Sequence, residues 1–347
     1  MKPSHRRTGS VCILPRLEGL GGPVSFQNRL VDGLIRRGVE VHHDPLAAGT
    51  AAILVNGGSH HLLDLWRARQ RGVRIVQRLN GMNWIHRRRK VGLRFYLRAE
   101  RNNRLLAFIR RHLADGIIYQ SNFAQAWWRT VYGKTRTPAR VVYNGVDLTH
   151  YTPEGEHERP DGHYRIVLVE GHLGGGNEMG LANAIALAQQ LSQVAEKAVE
   201  LMVVGDVPPA LQAHWEEQAL AHIVWAGKVS ASRIPFIDRS AHLLFSSDLN
   251  AACPNSVIEA LACGLPVIAF ATGSLPELLE GEAGRVVTYG SNYWNLEPPD
   301  ISALAAAAQV VLADQENYRR TARARARVAF DVDQMVESYL SALLLPT

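Results

Sequence analysis

The sequence predicts an α/β protein built from two doubly wound, parallel-sheet domains of Rossmann-like layout. Three observations carry that reading. Strand-like apolar runs alternate with segments of helical period along almost the whole chain, the pattern of a parallel sheet covered by helices. The alternation is interrupted once, by a polar, turn-rich stretch after residue 150, and then restarts. With 347 residues and 47% apolar content there is enough chain for two buried cores.

The first half begins with VCILP (11–15), a buried strand, then the loop RLEGLGGP and a helix over 23–37 that Gly38 ends. Proline in the first turn of a helix and glycine just past its end are the expected punctuation. Gly19 and Gly21 lie where strand hands over to helix. Val24 stands where a dinucleotide fingerprint needs its third glycine, which disfavours a Rossmann dehydrogenase. Strand runs follow at VEVHH, AAILVN, RIVQRLN, GIIYQSN and ARVVYN, with helical period at 62–71 and 123–132. Ligands of such sheets collect at the carboxyl ends of the strands, which gathers Asn56-Gly57-Gly58, Asn80-Gly81-Met82-Asn83 and Gln120-Ser121-Asn122 around one crevice. Asn and Gly are also ordinary loop formers.

Charge divides the chain. Residues 1–150 hold 26 Lys and Arg against 8 Asp and Glu, a balance of +18, whereas 151–347 hold 12 against 24, a balance of −12. A basic first half attracts an anionic acceptor, membrane or nucleic acid. The extreme is HRRRKVGLRFYLRAERNNRLLAFIRRH (86–112), with Arg87, Arg88, Arg89, Lys90 and Arg94 at its start and Glu100 as its single acid. Leu93, Leu97, Leu105, Phe108 and Ile109 supply an apolar stripe, weakened by Gly92 and by Asn102-Asn103. Basic amphipathic helices of this type lie on anionic lipid. A solvated charged face is the plain alternative; nucleic acid is not expected as a partner, since no recognised binding module is present.

YNGVDLTHYTPEGEHERPDGHY (143–164) contains the linker. The second half restarts with RIVLVE (165–170) and the loop GHLGGGNEMG, then VELMVVGD, a helix over 209–221, HIVWAG and AHLLFSS. The stretch AACPNSVIEALACGLPVIAFATGSLPELL (251–279) reads as loop, short helix, strand and second helix entry. Asn255 or Ser256 can cap the helix, and Gly264 can take its left-handed exit. Free N–H groups at Asn255, Ser256 and Val257 suit a phosphate, and Glu259 one turn further in suits a pair of sugar hydroxyls. Ser256-Val257-Ile258-Glu259 equally matches a capping box, in which Glu259 only serves its own helix. Glu277 fits a cap on Ser274.

The run CPNSVIEALACGLPVIAFATGSLPEL resembles the donor-site signature of the retaining glycosyltransferases of the GT-B fold, family four. The likeness extends from Gly21-Gly22 through YNGVD (143–147) to the closing helices. It implies two Rossmann-like domains facing a central cleft: 1–150 on the acceptor side, a linker at 151–164, a nucleotide-sugar domain at 165–330, and a final helix, 331–347, crossing back to the first domain. It implies a hexose transferred from a nucleotide-sugar to a lipid or glycan acceptor with retention, a phosphate oxygen of the donor taking the proton, and neither metal nor cofactor. Gly21 and Gly22 match the glycine pair that approaches the donor phosphates, and Lys228 and Val229 the loop that holds the base.

Two departures stand out. The family's Arg and Lys after the first strand of the second domain are replaced by His172 and by Asn177-Glu178-Met179. Positioned cations at such a site are commonly worth about 3 to 4 kcal/mol. Gly174, Gly175 and Gly176 offer backbone N–H groups instead. The first of the family's two glutamates, eight positions before Glu259, is Ala251, so Asn250 or Asp248 must substitute; Asn250 is preferred by adjacency. His172 and Asn250 are thus the candidate catalytic residues. A non-catalytic scaffold that binds nucleotide-sugar or membrane, and an epimerase on the same architecture, are the rival readings. Cys12, Cys253 and Cys263 show no metal-ligand spacing, no Asp-x-Asp site is present, and no run reaches membrane-spanning length. The start, MKPSHRRTGS, lacks a signal-peptide core, so a cytoplasmic protein, at the inner face of the membrane when lipid is bound, is expected.

Overall fold

The computed structural model describes residues 9–19, 21–174 and 178–344. The chain divides into two compact units: one ends at Gly145 and resumes at Val332, the other is Val146–Asp331.

The first unit contains β1 (Ser10–Leu14), β2 (Val41–His42), β3 (Thr50–Asn56), β4 (Arg74–Leu79), β5 (Gly116–Tyr119) and β6 (Ala139–Val141), all parallel in the order β2-β1-β3-β4-β5-β6. The central strands are buried nearly throughout, as expected where helices cover both faces. On one face, helix Gly22–Arg36 packs Phe26, Leu30 and Leu34 against Met335, Val336 and Tyr339 of the last helix, Val332–Leu344. The two approach so closely at Gly33 that a Cβ there would lie 2.4 Å from Val336 Cγ2. Helices Leu62–Gln70 and Leu93–His112 contribute Leu65, Ala68 and Ile109 to the other face.

The second unit contains β7 (His163–His172), β8 (Ala198–Asp206), β9 (His222–Gly227), β10 (Leu243–Ser246), β11 (Val267–Phe270) and β12 (Gly284–Val287), parallel in the order β12-β11-β10-β7-β8-β9. The stretch around residue 255 folds as read, into helix Asn255–Ala262, β11 and helix Leu275–Leu278, with Gly264 at φ +67° ending the first helix. That helix is buried on every side from Val257 to Ala262 rather than on one face.

The polar segment expected as a linker at 151–164 is packed on the second unit, which begins at Val146. Arg323 of helix Gln315–Ala329 donates to the carbonyls of Leu148, Tyr151 and Ala262, and Arg239 donates to that of Glu156. Carbonyls of an irregular segment need donors, and these guanidiniums supply them. The basic segment 86–112 is not one helix: a turn at Ile85–Arg87 is followed by Gly92 as N-cap of Leu93–His112. Asn102-Asn103 does not break it, because Asn103 is buried and bonded to both backbone groups of Asn83.

Candidate functional site

At the carboxyl edge of the second sheet, His172 pairs in register with Asp206, and Lys228 follows β9. Asp206 Oδ2 is 3.0 Å from His172 Nδ1 and 3.1 Å from Lys228 Nζ. Lys228 first, and then His172, hold the Asp206 carboxyl below its ordinary range. Two predicted residues are thus brought together by an acid that was not singled out. Gly174 lies in the same corner, where a Cβ would come within 2.6 Å of Pro208 and 3.1 Å of His172 Nε2. Gly175, Gly176 and Asn177 lie outside the described residues. Val229 is half-buried in the loop after β9.

Beside it, the end of β7 meets the loop after β10. Ser247 Oγ donates to Glu170 Oε1 at 2.9 Å. Burial, and then Asp248, push the Glu170 carboxyl well above the usual range, with the Ser247 bond opposing them. Two residues on, Asn250 sits at φ +60° with 4% exposure, and neither Oδ1 nor Nδ2 has a hydrogen-bond partner among the described residues. Its neighbour Ala251 accepts from Ser274 N at 2.9 Å, and a Cβ on Gly273 would come within 2.6 Å of Ala251 N. The loop is therefore held by backbone, and Asn250's amide is held in place without spending its own polar atoms.

Helix Asn255–Ala262 begins two residues earlier than a Ser256 cap requires. Its N-cap is Pro254, with no side-chain cap, so neither Asn255 nor Ser256 caps it and the capping box does not form. The cause is local: Pro254, extended at φ −69° and ψ 128°, already marks the boundary and places Asn255, Ser256 and Val257 in the first turn. Glu259 is buried, at 8% exposure, and its charge acts on Asp238 of helix Ile234–Ser240. Asp238 is fully enclosed; burial first and Glu259 second push its carboxyl far up. The Glu277 cap is also not made: Ser274 starts helix Leu275–Leu278 with no side-chain bond, its Oγ buried.

In the first unit, Gly21 takes φ +119° as N-cap of the helix that Gly22 begins, and a Cβ there would meet nothing within 4 Å. Conformation, not space, selects glycine at this position. Of the loops expected around one crevice, Asn56 and Gln120 meet on a residue the sequence did not single out. Arg78, at the end of β4 and 2% exposed, donates to Asn56 Oδ1 at 2.8 Å and Asn144 Oδ1 at 2.9 Å, lies 3.5 Å over the Phe26 ring, and is bonded by the Gln120 amide oxygen at 3.0 Å. Ser121 is spent otherwise, capping helix Asn122–Tyr132 through Ala124 N. Asn80 accepts from buried Trp128.

Among the basic residues, Arg87 is committed to Glu100 through both carboxylate oxygens, at 2.5 and 2.9 Å, and His86 joins them at 2.8 Å. Arg88, Lys90 and Arg94 are exposed and Arg89 is half-buried. The expected apolar stripe divides, because its members sit at opposite sides of one helix: Ile109 turns inward with Ala99 and Leu106, whereas Leu93, Leu97 and Phe108 face solvent. Among the described residues no group of three or more His, Cys, Asp or Glu can hold a metal ion, and no helix is long and apolar enough to cross a membrane.

Comparison with known proteins follows the same division. A family model described as Glycosyltransferase Family 4 matches residues 51–150, and one described as Glycosyl transferases group 1 matches residues 166–314. Sucrose-phosphate synthase from Thermosynechococcus elongatus superposes with a TM-score of 0.70 at 18% identity, over 95% of this chain and 97% of that one. HepE from Anabaena, solved in complex with UDP, superposes at 0.68 and 18% identity over 96% and 100%. WaaG, a glycosyltransferase involved in lipopolysaccharide biosynthesis, does so at 0.68 and 15% identity over 97% and 100%. No curated protein matches the chain in sequence. With a family 4 domain in the first unit, a group 1 domain in the second, and both on the GT-B fold, the chain belongs to the GT-B glycosyltransferases of family 4.

Proposed function

We propose that the protein transfers a hexose from a nucleotide-sugar to a lipid-linked or polysaccharide acceptor, with retention at the anomeric carbon and without a metal or other cofactor. The bond from the anomeric carbon to the donor phosphate breaks, the acceptor hydroxyl takes its place on the same face, and its proton passes to a phosphate oxygen of the departing nucleoside diphosphate. In this reading the first-turn N–H groups of Asn255, Ser256 and Val257, with Gly21, Gly22, Gly174 and Gly175, meet the phosphates. Glu259 takes the ribose hydroxyls, Lys228 and Val229 border the base, and Asn250 takes the sugar in place of the missing glutamate at 251. The crystal forms of HepE with UDP and with UDP-glucose support a nucleotide-sugar donor. Arg88, Arg89, Lys90 and Arg94, with Arg87, draw the protein to an anionic membrane or acceptor at the inner face of the cell membrane.

The observation that carries the reading is Asn250: a buried amide in left-handed backbone, held by its neighbours, with both polar atoms available, one residue from the position where the family places its sugar-binding acid. Incubation with UDP-, GDP- and ADP-sugars, with and without crude lipid, tests it. Release of nucleoside diphosphate that rises with lipid and persists in EDTA is expected; no release from any donor overturns it.

A second reading, a scaffold that binds nucleotide-sugar without turning it over, is favoured by the acid at Asp206. Its carboxylate is ion-paired with Lys228 and hydrogen-bonded to His172, so both side chains are already engaged by the protein itself. Saturable donor binding with no product under every acceptor condition supports the scaffold.

A further inference from the structure

We infer that Arg78 is the positioning residue of the acceptor side: its buried guanidinium sets the shape of the loops at the carboxyl edge of the first sheet, on which alignment of the incoming hydroxyl depends. The inference rests on the transferase reading and adds to it the residue that orders the acceptor's surroundings. At 2% exposure Arg78 is too enclosed to meet a substrate itself. It acts through the amides of Asn56, Gln120 and Asn144.

The side chain leaves the end of β4, in the middle of the first sheet, where Arg78 is in register with Asn56 of β3 and Ile118 of β5. One terminal nitrogen donates to Asn56 Oδ1 at 2.8 Å and the other to Asn144 Oδ1 at 2.9 Å, and the Gln120 amide oxygen accepts from both, at 3.1 and 3.0 Å. The Phe26 ring lies against the same guanidinium. These bonds to one planar fork fix the segments after β3, β5 and β6 against helix Gly22–Arg36. Neighbouring residues extend the brace. Gln77 Nε2 donates to the carbonyl of Gly57 at 2.8 Å, and Gly57 N donates to the carbonyl of Arg78 at 2.9 Å. Gln27, next to Phe26, donates to the carbonyl of Pro15 and accepts from Leu17 N, both at 3.1 Å, which ties in the loop after β1.

Charge indicates the purpose of this arrangement. Phe26, Asn56, Gln120 and Asn144 are all neutral, so none of them offsets the cost of enclosing a guanidinium. An apolar residue of similar volume would serve folding as well or better. What an apolar residue cannot do is hold polar loops. The loops concerned follow the strands at the edge where ligands of parallel sheets collect, and a misplacement of about 1 Å between reacting groups costs about a hundredfold in rate. A guanidinium suits the task and an ammonium does not, because a point charge cannot hold three amide oxygens in one plane.

The test compares wild type with Arg78→Gln, Arg78→Lys and Gly33→Ala, the last a control that disturbs packing in the same unit at Val336. Two quantities are measured: turnover of UDP-, GDP- and ADP-sugars with and without crude lipid, and amide hydrogen exchange over 56–58 and 120–122 without donor. Both Arg78 variants are expected to lose transfer to lipid by at least about tenfold while releasing nucleoside diphosphate without lipid within about twofold of wild type. Exchange in the two segments is expected to quicken by at least about tenfold. Gly33→Ala should leave the ratio of transfer to release unchanged. Equal losses of transfer and release in Arg78→Gln overturn the inference in favour of general support of the fold. Full transfer by Arg78→Lys overturns it in favour of charge alone, and unchanged exchange overturns it outright. Should Arg78→Gln fail to fold, Asn144→Ala, which removes one of the bonds, is expected to move both quantities the same way by about threefold, and no change overturns the inference. Absence of release from every donor by wild type sinks the transferase reading alone; quickened exchange confined to the Arg78 variants then upholds Arg78 as the residue that orders this edge, and its absence removes that role.

Discussion

Lys228 Nζ lies 3.1 Å from Asp206 Oδ2, the same oxygen that His172 Nδ1 approaches at 3.0 Å, so one carboxylate oxygen ties both side chains together at the carboxyl edge of the second sheet. These strand ends are where an anionic donor is expected.

Replacing Asp206 by Asn leaves shape nearly unchanged and removes one negative charge. If the donor diphosphate lies here, Asp206→Asn tightens UDP binding about two- to fivefold and Lys228→Gln weakens it by a similar factor, the scale of an exposed ion pair. Titration at low ionic strength, where screening is least, gives the largest difference. Weaker binding of UDP to Asp206→Asn would show that the acid serves chiefly to position His172.

Asn250→Gly separates stability from activity. Asn250 occupies φ +60°, which glycine adopts at no cost, and its buried amide has no hydrogen-bond partner among the described residues. Removing an unsatisfied buried group is expected to raise unfolding stability by about 1 to 2 kcal/mol. Transfer should fall at least about a hundredfold if the amide meets the sugar in the transition state. Urea denaturation and donor turnover on the same preparation check both halves; a variant that is less stable and fully active contradicts the assignment.

Which parts of this arrangement were legible in sequence follows from the range of the interactions. Helix Asn255–Ala262, its glycine exit at Gly264 and the strand after it depend on a few adjacent residues, and the periodicity reported them. Pro254 illustrates the limit even there, because an extended proline fixes the helix start and makes the Ser256 cap unnecessary. Asp206, Glu170 and Asp238 went unnoticed for another reason. Each matters through partners that are distant in sequence, such as His172, 34 residues from Asp206, and Ser247, 77 residues from Glu170, or, for Asp238, through Glu259 on a neighbouring helix. Those partners are set by the strand order β10-β7-β8-β9, which the linear pattern does not encode. Arg78 was hidden in an apolar run, where an alternation count treats a charged residue as an exception. Its four partners, Phe26, Asn56, Gln120 and Asn144, come from four separate segments of the chain.

Gly33→Ala tests how tightly the last helix is seated in the first unit. Alanine is favoured over glycine within a helix by about 1 kcal/mol, yet here the new methyl would stand 2.4 Å from Val336 Cγ2, in a fully buried contact. Overpacking should prevail, with a net destabilisation of about 1 to 3 kcal/mol. Val336→Ala in the same chain opens the space, so the double variant is expected to be more stable than the sum of the two single effects. Additive losses in urea denaturation would mean that the two side chains do not meet.

The buried carboxyl of Glu170 makes a prediction with a definite sign. Its folded-state affinity for a proton is raised, by burial first and by Asp248 second, above that of the unfolded chain. Between the ordinary glutamate value of about 4.3 and the raised one, the folded state therefore binds more protons than the unfolded state, and stability declines as pH rises through that window. Glu170→Gln keeps an oxygen that can accept from Ser247 Oγ and carries no charge to desolvate. At about pH 3.5, below the unfolded glutamate value, variant and wild type should unfold at nearly the same urea concentration, because the side chain is then neutral both folded and unfolded. At about pH 9 the variant should be clearly the more stable, since only the wild type must bury a carboxylate. An equal difference at both values would require Glu170 to be ionised throughout, and a stabilising cation or solvent contact would then have to replace the burial that now explains its shift.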